Sequence, residues 1–232
     1  MATVWPVLRL MIAALGLAAI LRQLTLTIGN ALAAGTSWGG HVPTVVVNFF
    51  SYFTILSNLS AAIVLVIAGI RALRTRRDGA PDPAWLATAL VCVSTYMIVT
   101  GVVYNLLLRS IPIAGISDVW TNETLHLIVP LFLVADVLVA PRRRALPWRT
   151  LALAAAFPIV WALYTMIRAN FVVAPMTGDP WWYPYPFLDP HLVPGGYFGV
   201  AGYVLGIAAL VVGVAAGVTW VGRRRAPGGA VS

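Results

Sequence analysis

The sequence predicts an all-α polytopic membrane protein, with six transmembrane helices in one bundle and both termini in the cytoplasm. Three observations carry that class. Hydrophobic types make up 60% of the 232 residues and charged types only 9%, whereas a water-soluble domain devotes about 25% to charge. Mean hydropathy is +0.89. Six apolar runs have roughly the 20 residues a helix needs to cross ~30 Å of hydrocarbon, and the charges collect between them.

The first run is Trp5 to Ile28. Ala31-Leu32-Ala33 after it resembles a signal-peptidase site, but about 25 largely apolar residues exceed the 7 to 15 of a cleaved signal. Arg22 also interrupts the stretch, so it reads as a retained span whose arginine snorkels to the outer surface. The second, third and fourth runs are Thr44 to Ile70, Ala84 to Leu108 and Trp120 to Ala140. The fifth, Leu151 to Arg168, is the shortest and holds Pro158, which neighbouring helices make tolerable. The sixth is Tyr197 to Val221. This predicts one membrane domain over 1–222 and a basic, flexible cytoplasmic tail over 223–232.

Arginine placement fixes the expected orientation. Arg71, Arg74, Arg76 and Arg77 follow the second run, Arg142, Arg143, Arg144 and Arg149 the fourth, and Arg223, Arg224 and Arg225 the sixth. The other connections hold only Arg109 and Arg168, against Asp118, Glu123, Asp179 and Asp189. Even-numbered runs therefore end inside, as in a multi-pass protein of the cell membrane. The net charge of +8, from 15 arginines and no lysine, is thus topological. No polyanion groove or nucleic-acid partner is expected, and the lipid bilayer is the expected partner. The single cysteine, Cys92, excludes an intramolecular disulfide.

Polar side chains are costly in hydrocarbon, so those inside the spans are the informative ones. In the second run Ser51, Thr54 and Asn58 follow i, i+3, i+7 spacing on one helical stripe, with Asn48 above and Ser57 beside it. Such a stripe faces protein or water, and helix packing alone would explain it equally well. The fourth run contains the only histidine within a span, His126, with Glu123 and Asn122 at i−3 and i−4 placed to hold its ring, while a packed histidine near a helix end with Glu123 solvated at the outer rim would explain the pattern equally well. Thr54 is expected ~15 Å below the outer end of its run and His126 ~9 Å below, at 1.5 Å per residue. At similar depth a hydroxyl and an imidazole can act as nucleophile and base, since a neutral hydroxyl is a poor nucleophile until its proton is removed.

In the third run Tyr96, Thr100 and Tyr104 fall at i, i+4, i+8, followed by Asn105. Tyr104 and Asn105 are candidate donors to an oxyanion, or an interfacial belt residue and a helix cap. Asp136 lies ~15 Å deeper than His126, too far to orient its ring, and reads as a partner of cytoplasmic arginines or of a backbone end. The connection Ala169 to Gly196, with six prolines and an aromatic cluster from Trp181 to Phe187, is expected along the outer interface as a partial lid, or as an ordinary aromatic belt.

Three stretches resemble the androgen-induced-gene family of membrane hydrolases, in a bacterial branch: Ser51 to Leu59, Leu125 to Pro130, and Tyr183-Pro184-Tyr185-Pro186-Phe187-Leu188. Animal members are multi-helix threonine hydrolases of fatty acid esters of hydroxy fatty acids, with one Thr and one His essential. The resemblance implies that Thr54 and His126 fill those roles. The connections and the lysine-free composition depart from the family pattern and leave the ester substrate open.

The expected function is an intramembrane esterase for long-chain lipid esters, with Thr54 and His126 catalytic and needing no metal or organic cofactor. Ser51, Asn58, Tyr104, Asn105, Asn122 and Glu123 are expected to support the site or bind substrate. The alternative is a membrane protein that binds a lipid or small ligand without turnover. A zinc hydrolase using His41, His126 and His191 lacks any HxxxH-type ligand spacing. A transporter would lead one to expect repeats and more intramembrane charge.

Overall fold

The computed structural model describes residues 4–75, 81–111 and 118–226. Arg76, Arg77 and the tail beyond Ala226 lie outside the described residues, so the expected flexibility of that tail does too. The described chain is all-helical. Its helices are α1 (Val4–Leu32), α2 (Val42–Phe49), α3 (Phe53–Arg74), α4 (Ala84–Leu108), α5 (Val119–Val139), α6 (Thr150–Arg168) and α7 (Tyr197–Arg225). All but the short α2 are long and apolar enough to cross a membrane.

Small residues let the central helices approach. Ala13 of α1, Ala61, Ala62 and Leu65 of α3, Val93 and Met97 of α4, and Val129 and Leu133 of α5 form one buried core. At Gly101 of α4 an added Cβ would meet the Pro130 Cβ of α5 at 2.9 Å, so glycine sets the α4–α5 approach. In the most apolar window of α4, 67% is buried, against 17% in α6 and 22% in α7. The latter pair is the least buried of the six spans.

The expected second span is broken. Helix α2 ends at Phe49, Tyr52 is extended, and a new helix starts at Phe53. No proline or glycine marks the break. The Ser51 hydroxyl donates to the Val47 carbonyl at 2.7 Å, a back-bond that bends helices, and the indole of Trp161 in α6 donates to the Ser51 carbonyl at 2.9 Å. Tyr52 packs edge-on against Trp182 and Tyr185, with ring centroids 5.6 Å apart in each pair.

Two further expectations are corrected and a third is extended. Helix α7 runs through Arg225, so residues 223–225 continue the last span instead of starting a flexible tail. Arg223 and Arg225 donate to the Leu146 and Val137 carbonyls, both at 2.9 Å. The 169–196 connection is more than a surface layer, because its Tyr183, Tyr185, Phe187 and Leu188 are buried with Ala169 and Val200 as a plug at one end of the bundle. Asp136 pairs with Arg143, as expected, and also with Arg9 within α1, a partner the charge pattern between spans did not reveal.

Candidate functional site

Thr54 occupies the first turn of α3, not the middle of a continuous helix, and at 8% exposure it is buried. The N–H groups in that turn have no carbonyl one turn back, and the Thr54 N–H donates to the Tyr185 hydroxyl at 3.2 Å. His126 lies in a π-helical turn, Thr124–Ile128, within α5, a distortion frequent at functional sites. Pro130 has no N–H to bond the His126 carbonyl, and the Asn105 amide donates to it at 3.4 Å.

The two side chains meet. Thr54 Oγ1 lies 3.4 Å from His126 Nε2, and Nδ1 of the same ring lies 2.9 Å from the Asn122 carbonyl oxygen. A carbonyl only accepts, so Nδ1 carries the proton and Nε2 faces the threonine with its lone pair. Tyr104 stacks on the imidazole at 3.8 Å between centroids and 21° between planes, fixing the ring face. The Asn58 amide donates to the Thr54 carbonyl at 2.9 Å and to the Leu125 carbonyl at 3.2 Å, tying α3 to the π turn. Ser57, also donating to the Thr54 carbonyl, meets the Thr100 hydroxyl at 3.1 Å.

The remaining candidates make no bond to Thr54 Oγ1. Ser51 sits at the helix break, off the Thr54–Asn58 stripe, and its hydroxyl touches the Tyr164 hydroxyl at 3.0 Å. Glu123 forms a two-pronged pair with Arg109 at 2.9 and 3.0 Å and makes no bond to the histidine ring. Asn122 holds that ring by its backbone carbonyl, while its side-chain amide donates to the Tyr104 hydroxyl. Asn105 is exposed and donates to the Gly101 and His126 carbonyls, so its amide is committed to backbone and not to Thr54 Oγ1. His41 pairs with Thr44, and His191 with Asp189 and Trp181, so the three histidines do not converge.

Tyr185 is the residue that pattern reading did not single out for the site. Its hydroxyl is 3.2 Å from Thr54 Oγ1, although 131 positions separate the two in the chain. Burial raises its phenol above the ordinary tyrosine range, which keeps the O–H protonated as a donor. The only hint was its place in the aromatic-proline segment. Beside Thr54 opens a cavity of about 160 Å³, lined almost entirely by apolar groups from α3, α4, α6, α7 and the plug. Comparison with protein-family models, curated proteins and solved structures returned no match.

Proposed function

We propose that this chain is an intramembrane threonine hydrolase of long-chain lipid esters in the cell membrane, as its resemblance to the androgen-induced-gene family implies. The observation that carries the reading is the ordered chain Asn122 carbonyl, His126 Nδ1–H, His126 Nε2 and Thr54 Oγ1 at the edge of an apolar cavity. The 3.4 Å contact between base and hydroxyl is longer than a tight hydrogen bond, as resting catalytic sites often are.

The chemistry balances with these groups and water. His126 Nε2 takes the Thr54 proton as Oγ1 bonds to the ester carbonyl carbon, and the carbonyl oxygen becomes an oxyanion. The nearest donors are the Tyr185 O–H and the Thr54 N–H at the positive end of α3. Collapse breaks the carbon–oxygen bond to the alcohol, which leaves with the proton from Nε2. Water, deprotonated by the same nitrogen, then attacks the acyl carbon, and the bond to Oγ1 breaks as Nε2 returns the proton to the threonine and the fatty acid leaves.

A fluorophosphonate probe tests this directly. The expected result is a mass adduct on Thr54 that disappears in His126→Ala. Unchanged labelling in Thr54→Ala overturns Thr54 as the nucleophile, and lipid binding with neither adduct nor hydrolysis favours the non-catalytic alternative.

A further inference from the structure

The cavity beside Thr54 has one polar end and one open side. Thr54, Thr100, Tyr104 and Tyr185 lie in its lining, which otherwise is apolar and continues along α6 and α7. On α7 it runs from Val204 to Val212, ~12 Å at 1.5 Å per residue. Tyr185, Phe187 and Leu188 of the plug roof it. The strongly exposed residues among its walls are Ile159 of α6 with Ala208 and Val212 of α7. Ile159 is 55% and Val212 47% exposed, on the two helices most open to lipid.

We infer that the cavity is a binding site for one linear acyl chain, entered sideways from the bilayer between α6 and α7. This deepens the esterase reading and rests on it for the position of the ester group. Size sets the number of chains: a dry apolar cavity of about 150 Å³ admits a benzene-sized guest. The present space therefore encloses about six carbons of a single chain next to the carbonyl. The rest of the chain emerges past Ile159 and Val212 into lipid. Methylenes beyond the mouth exchange hydrocarbon for hydrocarbon, so they add no affinity. Selection acts on branching and bulk near the carbonyl, and not on total length.

The test uses the full chain in phosphatidylcholine vesicles. A long-chain monoacyl ester bearing a diazirine at mid-chain is cross-linked to Thr54→Ala protein, and the labelled peptides are mapped. Labels on α6 and α7 around Ile159, Ala208 and Val212 are expected, and labels confined to other helices or to the 169–196 plug overturn the proposal. In parallel, hydrolysis of linear and 2-methyl-branched monoacyl esters is compared at equal mole fraction in the membrane. Wild type is expected to prefer linear chains, with rates independent of length beyond the enclosed segment. Ala208→Trp, which fills the mouth, is expected to lose about tenfold or more. Wild-type turnover unaffected by branching and by Ala208→Trp overturns the acyl site while leaving the esterase intact. Cross-linking to α6 and α7 without wild-type turnover does the reverse. A poorly folded Ala208→Trp protein leaves the decision with the cross-links.

Discussion

Helix α5 carries two polar clusters, one fully buried at Asp136 and one half-buried at His126, built on opposite principles. At Asp136 the carboxylate takes bonds from Trp5 at 2.6 Å, Arg9 at 2.8 and 3.0 Å, and Arg143 at 3.0 Å, with no exposure of its own. Ten residues away, ~15 Å along the helix, His126 is held by the Asn122 carbonyl at 2.9 Å, meets Thr54 only at 3.4 Å and borders a cavity through Tyr104. The first cluster is charged, short and crowded. The second is built on neutral groups, longer, and adjacent to open space. An ion pair in hydrocarbon must satisfy its charges internally or cost several kcal/mol, which leaves it little freedom to act on anything else. A neutral hydroxyl and imidazole carry a smaller desolvation cost and keep a lone pair and a proton in reserve.

That contrast can be broken by four substitutions. The largest effect expected is on hydrolysis in His126→Ala, a loss on the order of 10⁴-fold, the upper range for a general acid–base group. The thermal midpoint in detergent should move little, and a large drop would make His126 a packing residue like those at Asp136. Next comes Asp136→Ala, which leaves Arg9 and Arg143 buried without their counter-charge and should cost about 3–5 kcal/mol in unfolding free energy. An unchanged midpoint would mean that the inner cluster is not structural. Tyr185→Phe removes one donor beside the developing oxyanion and should lower kcat about 10²-fold while KM stays near wild type. A pure KM change would assign the phenol to chain binding instead. The smallest effect belongs to Arg109→Gln. Its pair with Glu123 is solvent-exposed, and exposed pairs contribute little, so neither hydrolysis nor melting should change measurably.

The same division appears in what was legible from the chain. Span positions follow from hydropathy, because the cost of exposing backbone and charge to hydrocarbon acts on every residue of a run. The i−4 relation between Asn122 and His126 was also visible, yet it is the carbonyl that binds the ring, because the amide is taken by the Tyr104 hydroxyl contributed by a different helix. The break at Ser51 and Tyr52 was hidden because its causes, the Trp161 indole and the aromatic plug, come from distant segments. Arg9 was overlooked because an arginine inside an apolar run declares its purpose only when its carboxylate is known.

Composition and periodicity alone therefore determined a six-span helical bundle, together with the short list of residues too polar to face lipid. Only the packed helices decided which of those residues meet. Hydrophobic burial sets how much of each segment leaves water but has no direction, whereas hydrogen bonds act over about 3 Å. The tertiary structure thus placed Tyr185 on Thr54, turned Nε2 of His126 toward the hydroxyl, and left an apolar cavity beside them.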